Sequence, residues 1–160
     1  KILSANPGVY QQKLDANRSI TSEILKKKNK FNCIVSSINN GSHLLGLSKN
    51  LKQPKFYGVY SKSKLAKSIN AFSLTEIKNR KKIEKLNLIK ANEKEIINGF
   101  GLLASEGIFV DGSSSAIIGS LNKIKYKKIC CVLSGSALNN LSEVQKIMLK
   151  KKRLSYFPKA

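Results

Sequence analysis

At 160 residues the chain is long enough for one domain with a buried core, and a 41% hydrophobic content excludes a disordered basic tail. No apolar run reaches the roughly 18 to 20 residues of a membrane span. Thirty Lys and Arg oppose nine Asp and Glu, giving a formal net charge of +21. Such an excess repels itself unless something anionic neutralises it, and nucleic acid is the usual partner because each phosphate contact releases a counterion.

Lys, Asn and Ile are abundant, and only Arg18, Arg80 and Arg153 are arginines, as an AT-rich coding sequence would make them. That bias explains Lys over Arg but not the shortage of acids. The cysteines, Cys33, Cys130 and Cys131, have no metal-type spacing, and His43 is the only histidine. Buried free thiols in a reducing compartment are expected, with adjacent Cys130 and Cys131 on opposite faces of a strand. The chain begins at Lys1 rather than Met, so a leader ahead of it is compatible with the sequence.

Asn6-Pro7 is a turn signal. From Asn17 to Lys28, Ile20, Ile24 and Leu25 follow helical spacing, and Lys26, Lys27 and Lys28 suit the negative end of that helix. Phe31 to Ser37 reads as a buried strand, Asn39-Asn40-Gly41 as a turn, and Ser42 to Leu51 as a helix. Pro54 precedes a second strand over Lys55 to Tyr60, and Ser63 to Ile69 is a short helix. Residues 73 to 90 are Lys-rich with only partly helical apolar spacing and are expected to form a basic surface segment. Asn92 to Ser105 is an amphipathic helix with Ile96, Ile97, Phe100, Leu103 and Ala104 on one face, ended by Gly107. Ile108 to Val110 is extended, Ser113 to Asn122 helical, and Ile129 to Leu133 a third strand. A turn at Ser134-Gly135-Ser136 leads to a helix over about Ser142 to Lys150. The division expected is a domain over 1–149 and a basic tail over 150–160.

Strand, glycine-containing turn and helix recur, the βα pattern of an α/β fold whose parallel sheet carries helices on both faces. Ligands of such sheets sit at the carboxyl ends of strands. Three stretches in order add to this. The first, Cys33-Ile-Val-Ser-Ser-Ile-Asn-Asn-Gly-Ser-His-Leu-Leu-Gly46, resembles the strand and Gly-Asn-Gly-Gly-Asn-Leu-x-Gly loop of the pyridoxal-phosphate (PLP) enzymes that include threonine synthase, threonine dehydratase and cysteine synthase. The second, Ala104-Ser-Glu-Gly-Ile-Phe-Val-Asp-Gly-Ser-Ser-Ser-Ala116, is similar to that family's Glu-Gly-Ile-Phe-Val-Glu-Pro-Ser-Ser-Ala-Ala and is the most specific match. The third, Val132-Leu-Ser-Gly-Ser-Ala-Leu138, resembles Val-Leu-Thr-Gly-Ser-Gly-Leu. The order and spacing cover nearly the whole chain and match the C-terminal part of a threonine-synthase-like enzyme, implying a partial fold-type-II large domain.

That resemblance implies a cofactor site at Asn40, Gly41, Ser42, His43 and Ser134, with backbone N–H groups on the phosphate and the Ser134 hydroxyl near the pyridine nitrogen. The chain departs from the family at that loop: Asn39 and Ser42 stand where glycines admit close backbone approach, and His43 stands for Asn. The family's Schiff-base lysine lies in an N-terminal part that this sequence does not include, so no enzyme activity and no bound cofactor are expected of the chain by itself. Plainer roles are His43 as a surface residue at a loop-to-helix junction, Ser113 to Ser115 as an N-cap cluster, and Ser134 as a turn cap.

The functional expectation is a former enzyme domain in a large ribonucleoprotein, specifically a mitochondrial ribosome, with the cytoplasm or another organelle as the alternative location. Its partners would be RNA, rRNA above all, and neighbouring proteins, with no membrane. The RNA-contacting residues expected are Lys26, Lys27, Lys28, Lys30, Lys81, Lys82, Lys127, Lys128, Lys150, Lys151, Lys152 and Arg153. Tyr10, Tyr57, Tyr60, Tyr126 and Tyr156 are candidates to stack on unpaired bases. The alternative is the C-terminal half of a split PLP enzyme completed by another chain. A scaffold that binds an acidic protein is the third possibility.

Overall fold

The computed structural model describes residues 11–26, 30–39, 41–49, 54–70 and 86–153. In chain order the elements are α1 (Gln11–Lys26), β1 (Cys33–Ser37), α2 (Ser42–Ser48), β2 (Lys55–Ser61), α3 (Lys67–Asn70), β3 (Asn87–Ala91), α4 (Glu93–Ser105), α5 (Gly112–Gly119), β4 (Ile129–Val132) and α6 (Leu141–Arg153). Short 3-10 turns at Leu121–Lys123 and Ala137–Asn140 follow α5 and β4.

The four strands form one parallel sheet in the order β3-β2-β1-β4. Cys33 on the central strand β1 pairs with Lys55 on one side and Ile129 on the other. The α/β sheet with helices on both faces is therefore observed. Ile34, Ile38, Leu44, Leu47 and Phe56 fill the layer under α1 and α2. Val35, Val59, Ile69, Ile96, Ile97, Phe100, Ile117 and Ile147 fill the layer under α3 to α6. Side chains alternate across a pleat, so Cys131 packs with the second layer and Cys130 with the first. Cys33, Cys130 and Cys131 are free thiols, and burial pushes Cys131 up to about 12.

Several boundaries differ from those expected. The Lys-rich stretch expected to be surface through Lys90 ends in strand β3, paired with β2 from Tyr57↔Asn87 to Ser61↔Ala91. Its lysine faces out while Ile89 and Ala91 are buried, the alternation of an edge strand. Residues 73–85 of that stretch lie outside the described residues. Helix α1 starts at Gln11, well before Asn17, and its Leu25 is exposed rather than part of the apolar face. Helix α6 runs on through Lys150 to Arg153, which the sequence reading assigns to a tail. The cap of α5 is Asp111, whose Oδ1 accepts from Ser114 N at 2.8 Å; Ser113 to Ser115 are buried in the first turn and are not the cap.

Helices α4 and α5 touch backbone to backbone. A Cβ on Gly99 would lie 2.0 Å from Ser115 O, and one on Gly119 would lie 1.8 Å from Glu95 O. Helix α4 itself starts in a capping box, with Asn92 Oδ1 accepting from Glu95 N and Glu95 Oε2 accepting from Asn92 N. Among the described residues no helix is long and apolar enough to cross a membrane.

Candidate ligand cleft

Connectivity decides where a ligand can sit. From β1 the chain steps outward to β2 and β3, then returns to β4 on the other side of β1. The loops leaving β1 and β4 therefore diverge at the carboxyl edge and open a crevice between them. A cleft of about 190 Å³ lies there, lined by Ser37, Ile38, Asn39, Gly41, His43, Leu44, Ser68, Ile69 and Ser134.

Each wall has a local cause. Gly41 has φ +86°, a left-handed conformation that costs a side-chain-bearing residue about 1–2 kcal/mol, and its carbonyl accepts from Leu45 N at 2.9 Å, starting α2. On the β4 side, Gly135 N donates to Ser114 Oγ at 3.0 Å and Ser136 forms a bridge with Val110. The second and third sequence motifs thus meet in space, and their junction holds Ser134 at the cleft. Ser68 and Ser113 share a hydroxyl hydrogen bond that ties α3 to α5.

His43 is half-buried rather than a surface residue. Its Nδ1 lies 2.9 Å from Asn17 Oδ1 on α1, and its Nε2 is buried with no partner among the described residues. Burial pushes the imidazole below its ordinary range, so the ring is neutral near pH 7. Of the five expected cofactor-site residues, Gly41, His43 and Ser134 line this one cleft. Ser42 is buried at the first position of α2 and is not part of the lining, and Asn40 lies outside the described residues.

A feature absent from the sequence reading lies behind the cleft. Glu143 is 2% exposed; its Oε1 accepts from Lys67 N at 3.2 Å, and its Oε2 has no partner among the described residues. Burial raises this carboxyl above its ordinary range, and the nearby Asp111 charge raises it further. The signal was available, since Glu143 is four residues before buried Ile147 and so shares the inward stripe of α6. Among the described residues no cluster of His, Cys, Asp and Glu could hold a metal ion.

The cations do not share one face. Lys30, Lys127 and Lys128 are exposed and converge at the amino edge, where with Phe31 and Ile129 they line a second, open cleft of about 300 Å³. Asn32 N donates to Lys128 O at 2.8 Å and Lys128 N to Asn32 Oδ1 at 3.2 Å, which fixes that meeting point. Lys26 is exposed in the last turn of α1. Lys150 pairs with Glu93, which follows β3, so it sits at the carboxyl end of the sheet. Lys151, Lys152 and Arg153 form the last turn of α6, while Lys27, Lys28, Lys81 and Lys82 lie outside the described residues.

No protein-family model and no curated protein sequence matches the chain. Solved structures do. A processed threonine deaminase isoform 2 from Solanum lycopersicum aligns with a TM-score of 0.64 and 15% identity, over 90% of this chain and 50% of its own. O-acetylserine sulfhydrylase isoform 3 from Entamoeba histolytica aligns with a TM-score of 0.64 and 19% identity, over 88% and 48%. Serine racemase from Dictyostelium discoideum aligns with a TM-score of 0.62 and 16% identity, over 77% and 49%. The fold is that of the fold-type-II PLP enzymes. The chain spans about half the length of these structures. At these identities the likeness concerns the fold-type-II architecture, in which the switch-point cleft is the ligand crevice that open α/β sheets offer.

The cleft residues fit part of a PLP molecule. A glycine turn in the left-handed conformation suits a phosphate, while the Ser134 hydroxyl and a buried ring nitrogen with no partner among the described residues suit a polar ring. No lysine is among the described residues that line the cleft, so none of these offers an amine to the cofactor's aldehyde.

Proposed function

We propose that the chain is the cofactor-facing half of a threonine-synthase-like PLP site, catalytic only when a second half supplies the lysine. One observation carries the reading: Gly41, His43 and Ser134, from segments about 90 residues apart in sequence, line a single cleft at the switch point of the sheet. The threonine-synthase-like assignment rests on the Glu106-Gly-Ile-Phe-Val110 stretch. PLP bound there supplies an electron sink for chemistry next to an amino acid's nitrogen. The chain's own residues bind and orient. The Gly41 turn lets backbone approach the phosphate without a side chain in the way. Ser134 offers a hydroxyl to the ring nitrogen, and neutral His43 completes the polar wall. Ile38, Leu44 and Ile69 keep water from one side.

Thirty basic side chains, nearly all lysine, would trap PLP itself as surface imines, so the probe must lack an aldehyde. Pyridoxine 5′-phosphate keeps the ring and the phosphate. It should raise the melting temperature saturably, whereas pyridoxine should not. Equal shifts with both compounds, or none at millimolar concentration, would refute the reading.

A second reading has its own support, the lysines gathered at the amino edge. In it the chain is a non-catalytic, RNA-associated component of a large ribonucleoprotein such as a mitochondrial ribosome. Steeply salt-dependent RNA binding is its signature, and it does not compete with ligand binding at the first cleft, because the two clefts lie at opposite ends of the sheet.

A further inference from the structure

The amino-edge cleft combines charge with an aromatic surface. Lys30, Lys127 and Lys128 rim it and Phe31 and Ile129 floor it. Tyr126 immediately precedes the lysine pair and is 36% exposed. Its ring stands against Tyr57 of β2 with centroids 6.2 Å apart and planes at 69°. An edge-to-face contact of this kind is a favoured aromatic geometry and fixes the ring's orientation. Ile129 and Tyr57 both pack with the layer under α3 to α6, so cleft and ring share one side of the sheet. Of the other candidate rings, Tyr57 and Tyr60 are half-buried, and Tyr10 and Tyr156 lie outside the described residues.

Three acids, Asp15, Glu93 and Glu95, are held in ion pairs elsewhere. The ion pairs of the described residues join Lys49 to Asp15, Lys123 to Glu95 and Lys150 to Glu93, none at this edge. Among the described residues, Lys30, Lys127 and Lys128 converge outside these ion pairs. A basic rim beside an exposed ring is the combination that tracks a flexible phosphate backbone while a base stacks. A duplex keeps its bases stacked inside and would use the lysines alone.

We propose that the amino-edge cleft binds a single-stranded segment of nucleic acid, with phosphates on Lys30, Lys127 and Lys128 and one unpaired base on Tyr126. This rests on the polyanion reading of the surface and narrows it to one strand state and one place. Fluorescence anisotropy with a labelled single-stranded RNA and with the duplex of the same sequence, at low and moderate salt, tests it. The single strand should bind roughly tenfold more tightly than the duplex. Tyr126→Ala should weaken single-strand binding by roughly tenfold, within the range for one stacked base, without changing the salt slope. Tyr126→Phe keeps the ring and should keep the affinity. The double variant K127A/K128A should lower the salt slope by about 1.4, as expected for two single-strand phosphate contacts. Equal affinity for both forms, or an unaffected Tyr126→Ala, overturns this proposal while the polyanion reading stands. Failure of both RNAs to bind at low salt overturns both.

Discussion

Glu143 is an acid held in an apolar setting by a chain that has few acids to spare. One oxygen accepts a single backbone N–H and the other has no partner among the described residues, so ionisation there places a buried charge near that of Asp111. A carboxyl whose pKa is raised in the folded state holds its proton more tightly when folded. It favours folding below the ordinary carboxylate range, and that contribution is lost as pH rises through the raised value. Glu143→Gln keeps the shape and an acceptor for Lys67 N but cannot ionise. It should raise the melting temperature near pH 7 and flatten the stability profile from about pH 4 upward, as thermal unfolding across pH would record. An unchanged profile would show that the carboxyl is not strained. His43 is the other residue whose environment the sequence hid: its loop position suggested solvent, but α1 folds over it and Asn17 meets its ring. Ser134 and Gly41 were legible because their setting depends on turn chemistry read locally. The cap of α5 was misassigned to Ser113 to Ser115 because they carry the same capping propensity as Asp111, and only the backbone direction selects the carboxylate.

Among the elements, the crossing of α4 and α5 sets the geometry behind the cleft, because α5 carries Ser113 and Ser114, which bond to α3 and to the β4 loop. The crossing is tight because Gly99 and Gly119 let one backbone lie on the other. Gly119→Ala would push a methyl carbon into Glu95 O and should cost about 1–3 kcal/mol, the usual range for overpacking, measured by denaturant unfolding. Displacing α5 should also loosen Ser134, so ligand-induced stabilisation should fall with it. Stability equal to the parent would mean that the helices have room to separate. Helices were the most readable elements: α4 announces itself by the Asn92 cap, the apolar stripe and Gly107. Strand β3 was not readable, because Asn87-Leu-Ile-Lys-Ala91 follows a lysine-rich run and its alternation spans only five residues. Its identity comes from pairing with β2, a contact made 30 residues away in sequence.

For the molecule as a whole, the class of the fold was legible in the repeated strand-turn-helix pattern and in three ordered motifs, whereas the strand order was not. That order makes β1 central, puts the divergence of loops between β1 and β4, and so decides which motif residues share a cleft. It also sends the expected nucleic-acid contacts to different ends, with Lys30, Lys127 and Lys128 gathered at the amino edge and Lys150 paired at the other. Two anion-attracting regions result, one neutral and shaped, the other charged and open. An anionic ligand can in principle choose either, and long-range attraction alone favours the charged one. Amide chemical-shift mapping during titration with pyridoxine 5′-phosphate separates them in one experiment. Binding in the switch-point cleft predicts saturable shifts centred on Gly41, Ser42, His43 and Ser134; shifts confined to Lys30, Lys127 and Lys128, or no saturable shifts at all, would contradict it.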